Sequence, residues 1–575
     1  MTEPFILTLI DTTSIQNYIF GSNRVRENIG ASALVEQATR DWPCAILRET
    51  MQLRHNLGEA DIPDLTQHIE TGQIDAELIY AGGGNTAILF ASRPLALDFA
   101  GHYSKKLLIL APGLQIALVH IDVQWDDPEG NFRQAWNIAH SQIAIKKATR
   151  PFSTPLLGVG VTAACESTDL PATSYDPFFL KYVPNHAERR YRAISSEIAA
   201  KLGDSIFKWS RERLEEMLPV IKNPNHPWYL WYDPEQDELN PDDGEGHYLA
   251  VVHVDANGMG RRFTEIVSSA ADDRNAVSRL GTLSQKMQKA GATSLARLCD
   301  WLVSSLEPPT AESQSSKADY AFFGTVNIKF DQVDRPILPF RPLVYGGDDI
   351  TFICDGRLGL RLARQFVAFF EEEASLALQD QPLPAELKRV YACAGIAIVK
   401  LHYPFSRAYT LANELCNNAK SLVREKDPLK RLSALDWHIA NSGLYGTLQQ
   451  TRTREYHTPY GDLYMRPLLT EKHLTDWATW ETFTDIVKEF SFSKTWRGKQ
   501  NKVIQLREAL RQGPAAVERY RKMYELDKLP ELAIVPSARE TGWDNKTCAY
   551  FDAIETMDFL LWSTKEREQT EGEKK

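Results

Sequence analysis

The sequence has no apolar stretch long enough to span a bilayer, which takes about 20 consecutive apolar residues, and its start, MTEPFILTLID, has no basic region ahead of the apolar run. Neither a membrane span nor a secretory signal is therefore expected. The seven cysteines, at 44, 165, 299, 354, 393, 416 and 548, include no CxxC pair. That argues against a disulfide framework and against a four-cysteine zinc site, so no zinc is expected, and a reducing cytoplasm is the expected location. A basic excess is missing as well: 65 basic against 76 acidic residues leave a net charge of −11. Proteins that hold nucleic acid unaided usually show the opposite balance, because phosphate contacts dominate that affinity. One local basic segment remains, Lys494, Arg497, Lys499 and Lys502 around Trp496. A solvated helix face is the plainer reading of it, and a nucleic-acid patch the alternative. No low-complexity tract interrupts the chain.

What is present is an ordinary globular composition, 43% hydrophobic and 25% charged, over 575 residues, a length that suits about two to four domains. Two regions begin alike. FILTLID (5–11) and YLAVVHVD (248–255) are apolar, β-branched runs ending on an aspartate, the pattern of a strand buried on both faces by helices. Each leads through a helical stretch to a strand ending in paired glycines, LIYAGGGNTAILF (78–90) and LVYGGDDITFIC (343–354). Aligning the glycines sets Gly82-Gly83 on Gly346-Gly347 and Gly84-Asn85 on Asp348-Asp349. Both regions are expected to close with a further helix and strand, GVGVTAAC (158–165) matching CAGIAIVK (393–400).

The organisation read from this is an α/β (α+β palm, ferredoxin-like) protein of two tandem copies. The first spans 1–185, with the degenerate turn. A helical connector and acidic linker, ending in DPEQDELNPDDGEG (233–246), fills 186–246. The second copy spans 247–452, with AESQSSKAD (311–319) as a mobile loop. From 453 to 575 a tryptophan-rich helical domain is expected, with TKEREQTEGEKK as a disordered tail.

The chemistry belongs to the second copy. Paired glycines let a phosphate or metal approach the backbone, because no Cβ obstructs it. Asp348 and Asp349 then present carboxylate oxygens at the turn, and Asp255 adds a third from the neighbouring strand. Mg²⁺ or Mn²⁺ wants such oxygen ligands, commonly one or two carboxylates together with substrate phosphates. Two ions so held would activate a 3′-hydroxyl and stabilise departing pyrophosphate, with nucleoside triphosphates as the substrate class. A plain hairpin is the competing reading of an isolated GGDD, since Asp and Gly favour turns anyway. Asp255 and the matching upstream unit tip the balance to function.

DANGMG (255–260), VYGGDDITFI (344–353), AGIAIVKLHYPFSRAYTLANELCNNAKSLVREK (394–426), DTTSIQNYIFGSNRVRENIGASALVEQA (11–38) and YAGGGN (80–85) together resemble the large palm-domain subunit of type III CRISPR effector complexes, the polymerase–cyclase that makes cyclic oligoadenylates from ATP. The resemblance touches most of residues 5–430. It implies that Asp255, Asp348 and Asp349 bind metal, that Lys420 contacts the triphosphate, and that Ser32 and Ser284 line adenine pockets beside Gly82, Gly83, Gly346 and Gly347. A helical lysine facing solvent and serines serving as caps or packing residues are the plainer readings of those last positions. The first palm is expected to seat a second nucleotide without metals, leaving Asp11 as a structural remnant.

Three departures from the family stand out. No His-Asp dipeptide occurs, so a form without the N-terminal nuclease domain is expected; the inter-palm cysteine cluster is missing; and Asn257 stands where a second acid is common. The resemblance implies guide or target RNA and small effector subunits as partners, in antiviral signalling. The acidic charge leans instead to a stand-alone or homo-oligomeric enzyme. A silent RNA-binding scaffold and a diguanylate-cyclase-like dinucleotide cyclase are the alternatives.

Overall fold

The protein's structure, a computed structural model, describes residues 3–149, 160–176, 192–222, 228–230, 248–308, 320–331, 334–401, 403–440, 446–473, 476–496, 498–532, 535 and 537–572. The segments 186–191, 233–246 and 311–319, and Arg497 of the basic segment, lie outside the described residues.

The first sheet is built from β1 (Phe5–Thr13), β2 (Ala76–Gly82), β3 (Asn85–Phe90) and β4 (Gln115–Val123), in the order β2-β3-β1-β4. Every neighbouring pair is antiparallel. Helix α1 (Val25–Glu36) lies between β1 and β2, α2 (Arg93–Leu110) between β3 and β4, and α3 (Phe132–Thr149) follows β4. The connector supplies α4 (Ser196–Lys201) and α5 (Asp204–Met217), which pack back on α1. There Trp209 donates to Asp41 at 2.8 Å and Arg213 to Glu36 at 2.9 Å.

The second sheet repeats the plan. In chain order it uses β5 (Tyr248–Ala256), α6 (Met259–Ser268), α7 (Asp273–Ser304), β6 (Phe340–Gly346), β7 (Asp349–Asp355), α8 (Gly359–Leu378), β8 (Ala392–Lys400), α9 (Phe405–Lys426) and β9 (Ala434–Ala440), with β10 (Leu468–Leu469) added at the edge. The order is β6-β7-β5-β8-β9-β10, so its first four strands reproduce the β2-β3-β1-β4 arrangement. The likeness reaches the irregularities. Asp11 pairs with Asn85 as Asp255 pairs with Asp349, and register shifts fall at Leu78/Tyr80 and Pro342/Val344, the same place ahead of each glycine pair.

One expectation is corrected here. GVGVTAAC does not close the first sheet: residues 160–165 form turn and bend, with a single bridge from Ala164 to Pro171. The counterpart of β8 is β4, QIALVHIDV, paired along the whole of β1. The physical reason lies in burial. β8 is flanked on both sides and covered on both faces, so it reads as an unbroken apolar run. β4 is an edge strand whose buried and more open residues alternate, which hides it from a search for apolar runs.

The palms interlock through exchanged helices. α7 starts at Asp272, whose side chain accepts the Asn275 amide at 2.7 Å as an N-cap. Its early residues Ala276, Val277 and Leu280 join the core under the first sheet, while Leu295, Leu298 and Leu302 join that of the second. Gln288 of α7 donates to the Ala81 carbonyl at 2.9 Å on β2. Reciprocally, Ser32 of α1 donates to the Leu343 carbonyl on β6. Each palm thus lays a helix on the other's second strand, and the two glycine turns meet.

The region after 453, expected to be a helical domain, is mainly helical and carries some strand as well. It holds α10 (Trp480–Phe492), α11 (Gln500–Arg511), α12 (Pro514–Met523) and α13 (Phe551–Glu555), but also a small sheet of four two-residue strands between His457 and Cys548. It also lends β10 to the second palm, against β9. The tail expected to be disordered is helical over Thr564–Gly572 (α14), because contacts tie it down: Glu566 accepts from Arg361 at 2.8 Å and Thr564 donates to Glu307 at 2.6 Å. Trp496 is a core residue packed edge-on against Phe490, with Lys494 and Lys499 exposed. No helix among the described residues is long and apolar enough to cross a membrane.

Candidate functional site

Strand periodicity builds the site. Asp255 is the next-to-last residue of β5 and stands opposite Asp349, the first residue of β7. Gly346 pairs with Asp349, leaving Gly347 and Asp348 as the turn, and Gly347 takes a φ of +77° that suits glycine. The Asp348 carbonyl accepts the Ala256 amide at 3.2 Å, which ties the turn to the end of β5. Three carboxylates are thereby gathered at one edge of the sheet.

Their charges interact. Burial, reinforced by the negative charge of Asp255 and Asp349, pushes the Asp348 carboxyl up to about 7. Burial and Asp255 push Asp349 up to about 7 as well, against the pull of Lys420. Asp349 still keeps 45% of its side-chain surface open, so solvent moderates this repulsion. Lys420, from α9, is ion-paired with Asp255. Burial works to lower the Lys420 pKa, but attraction to Asp255 outweighs it and the net direction is up.

His253 was not singled out from the sequence. It lies two residues before Asp255, and the period-two geometry of a strand places both side chains on one face, which is the signal that could have found it. Its Nδ1 lies 3.1 Å from Thr351 Oγ1 and 3.4 Å from Asp349 Oδ1. Burial pushes its pKa down to about 4, Asp255 opposing and Lys420 assisting, so it is neutral at pH 7.

Among the described residues, no three His, Cys, Asp or Glu side chains converge into a ready-made metal cage. Asp255, Asp348 and Asp349 do not form one by themselves: like charges repel, and Asp255 is engaged by Lys420. The donor set nevertheless fits a hard cation that brings phosphate ligands with it. Asp349 Oδ1 is buried and accepts no hydrogen bond, an orphaned acceptor of the kind a cation satisfies. Asn257 is occupied elsewhere, its Nδ2 donating to the Leu432 carbonyl at 2.9 Å.

Two cavities share Gly82, Gly83 and Gly346 as a common wall. The larger, about 370 Å³, lies between Tyr80, Trp136 and His140 of the first palm and Met259, Ser284 and Asp348 of the second. The smaller, about 100 Å³, lies between Ile15, Ser32 and Glu36 and the facing Tyr345 and Asp349. Ser284 and Ser32 therefore reach one cavity each, although the Ser32 hydroxyl is also held by Leu343. Lys420 and Asp255 sit together beside the carboxylate turn. Asp11, expected to be a remnant, carries an ion pair of its own: Lys147 Nζ lies 2.6 Å from its Oδ2.

The chain matches no curated protein sequence. Among solved structures it is similar to a Csm1–Csm4 cassette in complex with pppApApA, with a TM-score of 0.51 and 14% identity over 97% of this chain and 69% of that chain. It is similar also to Csm1 of T. onnurineus, with a TM-score of 0.48 and 14% identity over 97% and 70% of the two chains. A Csm1–Csm4 cassette in complex with cA4 gives 0.48 and 13% identity over the same shares. At these identities the likeness concerns fold. Residues 248–430, which contain β5 through α9 and all three aspartates, match the family described as Cas10/Cmr2, second palm domain.

Proposed function

We propose that the chain is a nucleotidyltransferase that joins ATP molecules into short cyclic oligonucleotides, second messengers of a type III CRISPR-like defence. The observation that carries this reading is the grouping of Asp255, Asp348, Asp349 and Lys420 beside a glycine-walled junction that separates two cavities, each lined by both palms. In the reaction, the 3′-hydroxyl oxygen of one nucleotide bonds to the α-phosphorus of another. The bond from that phosphorus to the β-phosphate bridging oxygen breaks, pyrophosphate leaves, and the hydroxyl proton passes to solvent. Ring closure repeats the step within one chain.

The protein's own share is positioning and charge. Lys420 exchanges Asp255 for the triphosphate. Gly346 and Gly347 let phosphate lie against the backbone, Ser284 and Ser32 line the seats of the two bases, and Gly82 and Gly83 close the wall between them. Asp255, Asp348 and Asp349 would hold Mg²⁺ or Mn²⁺, which when bound supplies activation of the hydroxyl and stabilisation of the pyrophosphate. The similar cassette named with pppApApA supports adenine as the base, and its second component, Csm4, supports a small subunit as partner.

The test is incubation of the purified protein with Mg²⁺ or Mn²⁺ and each nucleoside triphosphate in turn, followed by mass spectrometry. Cyclic oligoadenylates from ATP, lost in Asp348→Ala/Asp349→Ala, are expected. No product from any nucleotide, including after addition of target RNA and candidate subunits, overturns the reading.

A further inference from the structure

The duplication extends into the helix that follows each palm's fourth strand. α3 begins Phe132-Arg-Gln-Ala135-Trp136 and α9 begins Phe405-Ser-Arg-Ala408-Tyr409. Ala139 matches Ala412, His140 matches Asn413, and Lys147 matches Lys420, each lysine fifteen residues past its opening phenylalanine. Both lysines pair with the aspartate near the end of their palm's first strand, Lys147 with Asp11 and Lys420 with Asp255. Those aspartates occupy equal registers, opposite Asn85 and Asp349. The first palm has replaced the two acids of its turn by Gly84 and Asn85, yet it retains the lysine and the strand-end acid.

Mere stabilisation accounts poorly for that retention. The Lys147 and Asp11 side chains are 34% and 21% exposed, and such partly open pairs contribute little to stability. Their position does suggest a ligand. His140, one heptad before Lys147 on the same face of α3, lines the 370 Å³ cavity together with Asn85. The Lys147–Asp11 pair lies outside the lining of that cavity, next along the same helix face from His140.

We propose that Lys147 binds the phosphate chain of a nucleotide seated on the first palm, a seat that needs no metal, with Asp11 as its partner in the empty state. The inference rests on the nucleotidyl-transfer reading and extends it to a named residue. Without neighbouring turn carboxylates to neutralise, an ammonium alone is sufficient to hold phosphate as a point charge.

The test is calorimetric titration of the full chain with ATP and with adenosine in EDTA, in a Lys420→Met background so that only the first palm offers this ammonium. Adding Lys147→Met is expected to weaken ATP binding by about tenfold or more, the size of a lost charge-assisted hydrogen bond, and to leave adenosine binding unchanged. Lys147→Arg should keep most of the ATP affinity. Asp11→Asn should tighten ATP binding, because the carboxylate competes with phosphate for the lysine. Melting curves establish that each variant is folded. Equal ATP affinity with and without Lys147, or equal losses for ATP and adenosine, overturns the inference while leaving the activity untouched. Failure of the wild-type chain to bind ATP, with or without Mg²⁺, removes both this inference and the reading beneath it.

Discussion

Gly346 and Gly83 touch across the two palms: a Cβ built on Gly346 would lie 3.0 Å from Gly83 Cα. The meeting point is also the wall shared by both cavities, so the spacing of the two nucleotide seats depends on the absence of a side chain there.

Gly346→Ala should therefore leave the fold intact and impair product formation, chiefly through a raised KM for ATP as the palms part by a few tenths of an ångström. Gly347→Ala should behave differently. Its Cβ would meet nothing within 4 Å, but the φ of +77° is costly for any L-residue, so stability should fall by about 1 kcal/mol. Denaturant melts and steady-state kinetics on the two variants separate the effects.

Replacing Lys420 removes the cation that offsets three carboxylates. Lys420→Met should abolish product and lower the melting temperature more at pH 8 than at pH 5, since Asp348 and Asp349, both raised to about 7, are protonated at the lower pH. Lys420→Arg should restore most of the stability. Equal destabilisation at the two pH values would contradict the electrostatic account.

The same raised values predict a stability gain from neutralisation. A carboxyl whose folded pKa lies above its unfolded value contributes stability below the unfolded pKa and loses it as pH rises through the folded one, here near 7. Asp349→Asn should accordingly melt a few degrees above the wild type at pH 8 and show no gain at pH 4. Mg²⁺ should raise the wild-type midpoint at pH 8 and do so less in Asp348→Asn/Asp349→Asn. Thermal melts across pH, with and without Mg²⁺, check both statements.

Far from the site, Arg466 is fully buried between Asp552, at 3.4 Å, and Glu555, at 3.3 Å. Arg466→Met should cost about 3–5 kcal/mol, because it leaves two carboxylates buried without their cation. Urea denaturation followed by intrinsic tryptophan fluorescence measures it.

The runs ending at Asp11 and Asp255, the two glycine pairs and the acidic turn are local patterns, and an unbroken apolar strand beside a Gly-Gly-Asp-Asp turn reads the same in one dimension as in three. The palm topology and the carboxylate cluster were therefore legible. β4 was not, because an edge strand with one open face carries a weaker apolar signal than a central one, and GVGVTAAC presented the stronger but misleading run. α14 was missed for a related reason: its composition is that of a solvated tail, and contacts distant in sequence, with Glu307, Phe323 and Arg361 among them, hold it as a helix.

By itself, then, the sequence determined which residues carry charge and where the chain can turn tightly, since strand alternation and glycine conformations are short-range matters. Only the tertiary structure decided that α7 and α1 exchange between palms, that Gly83 meets Gly346, that His253 faces Asp349, and that Lys147 and Lys420 each find the aspartate near the end of their own palm's first strand. Those relations join residues dozens to hundreds of positions apart, and they arise from packing apolar faces that no local pattern specifies.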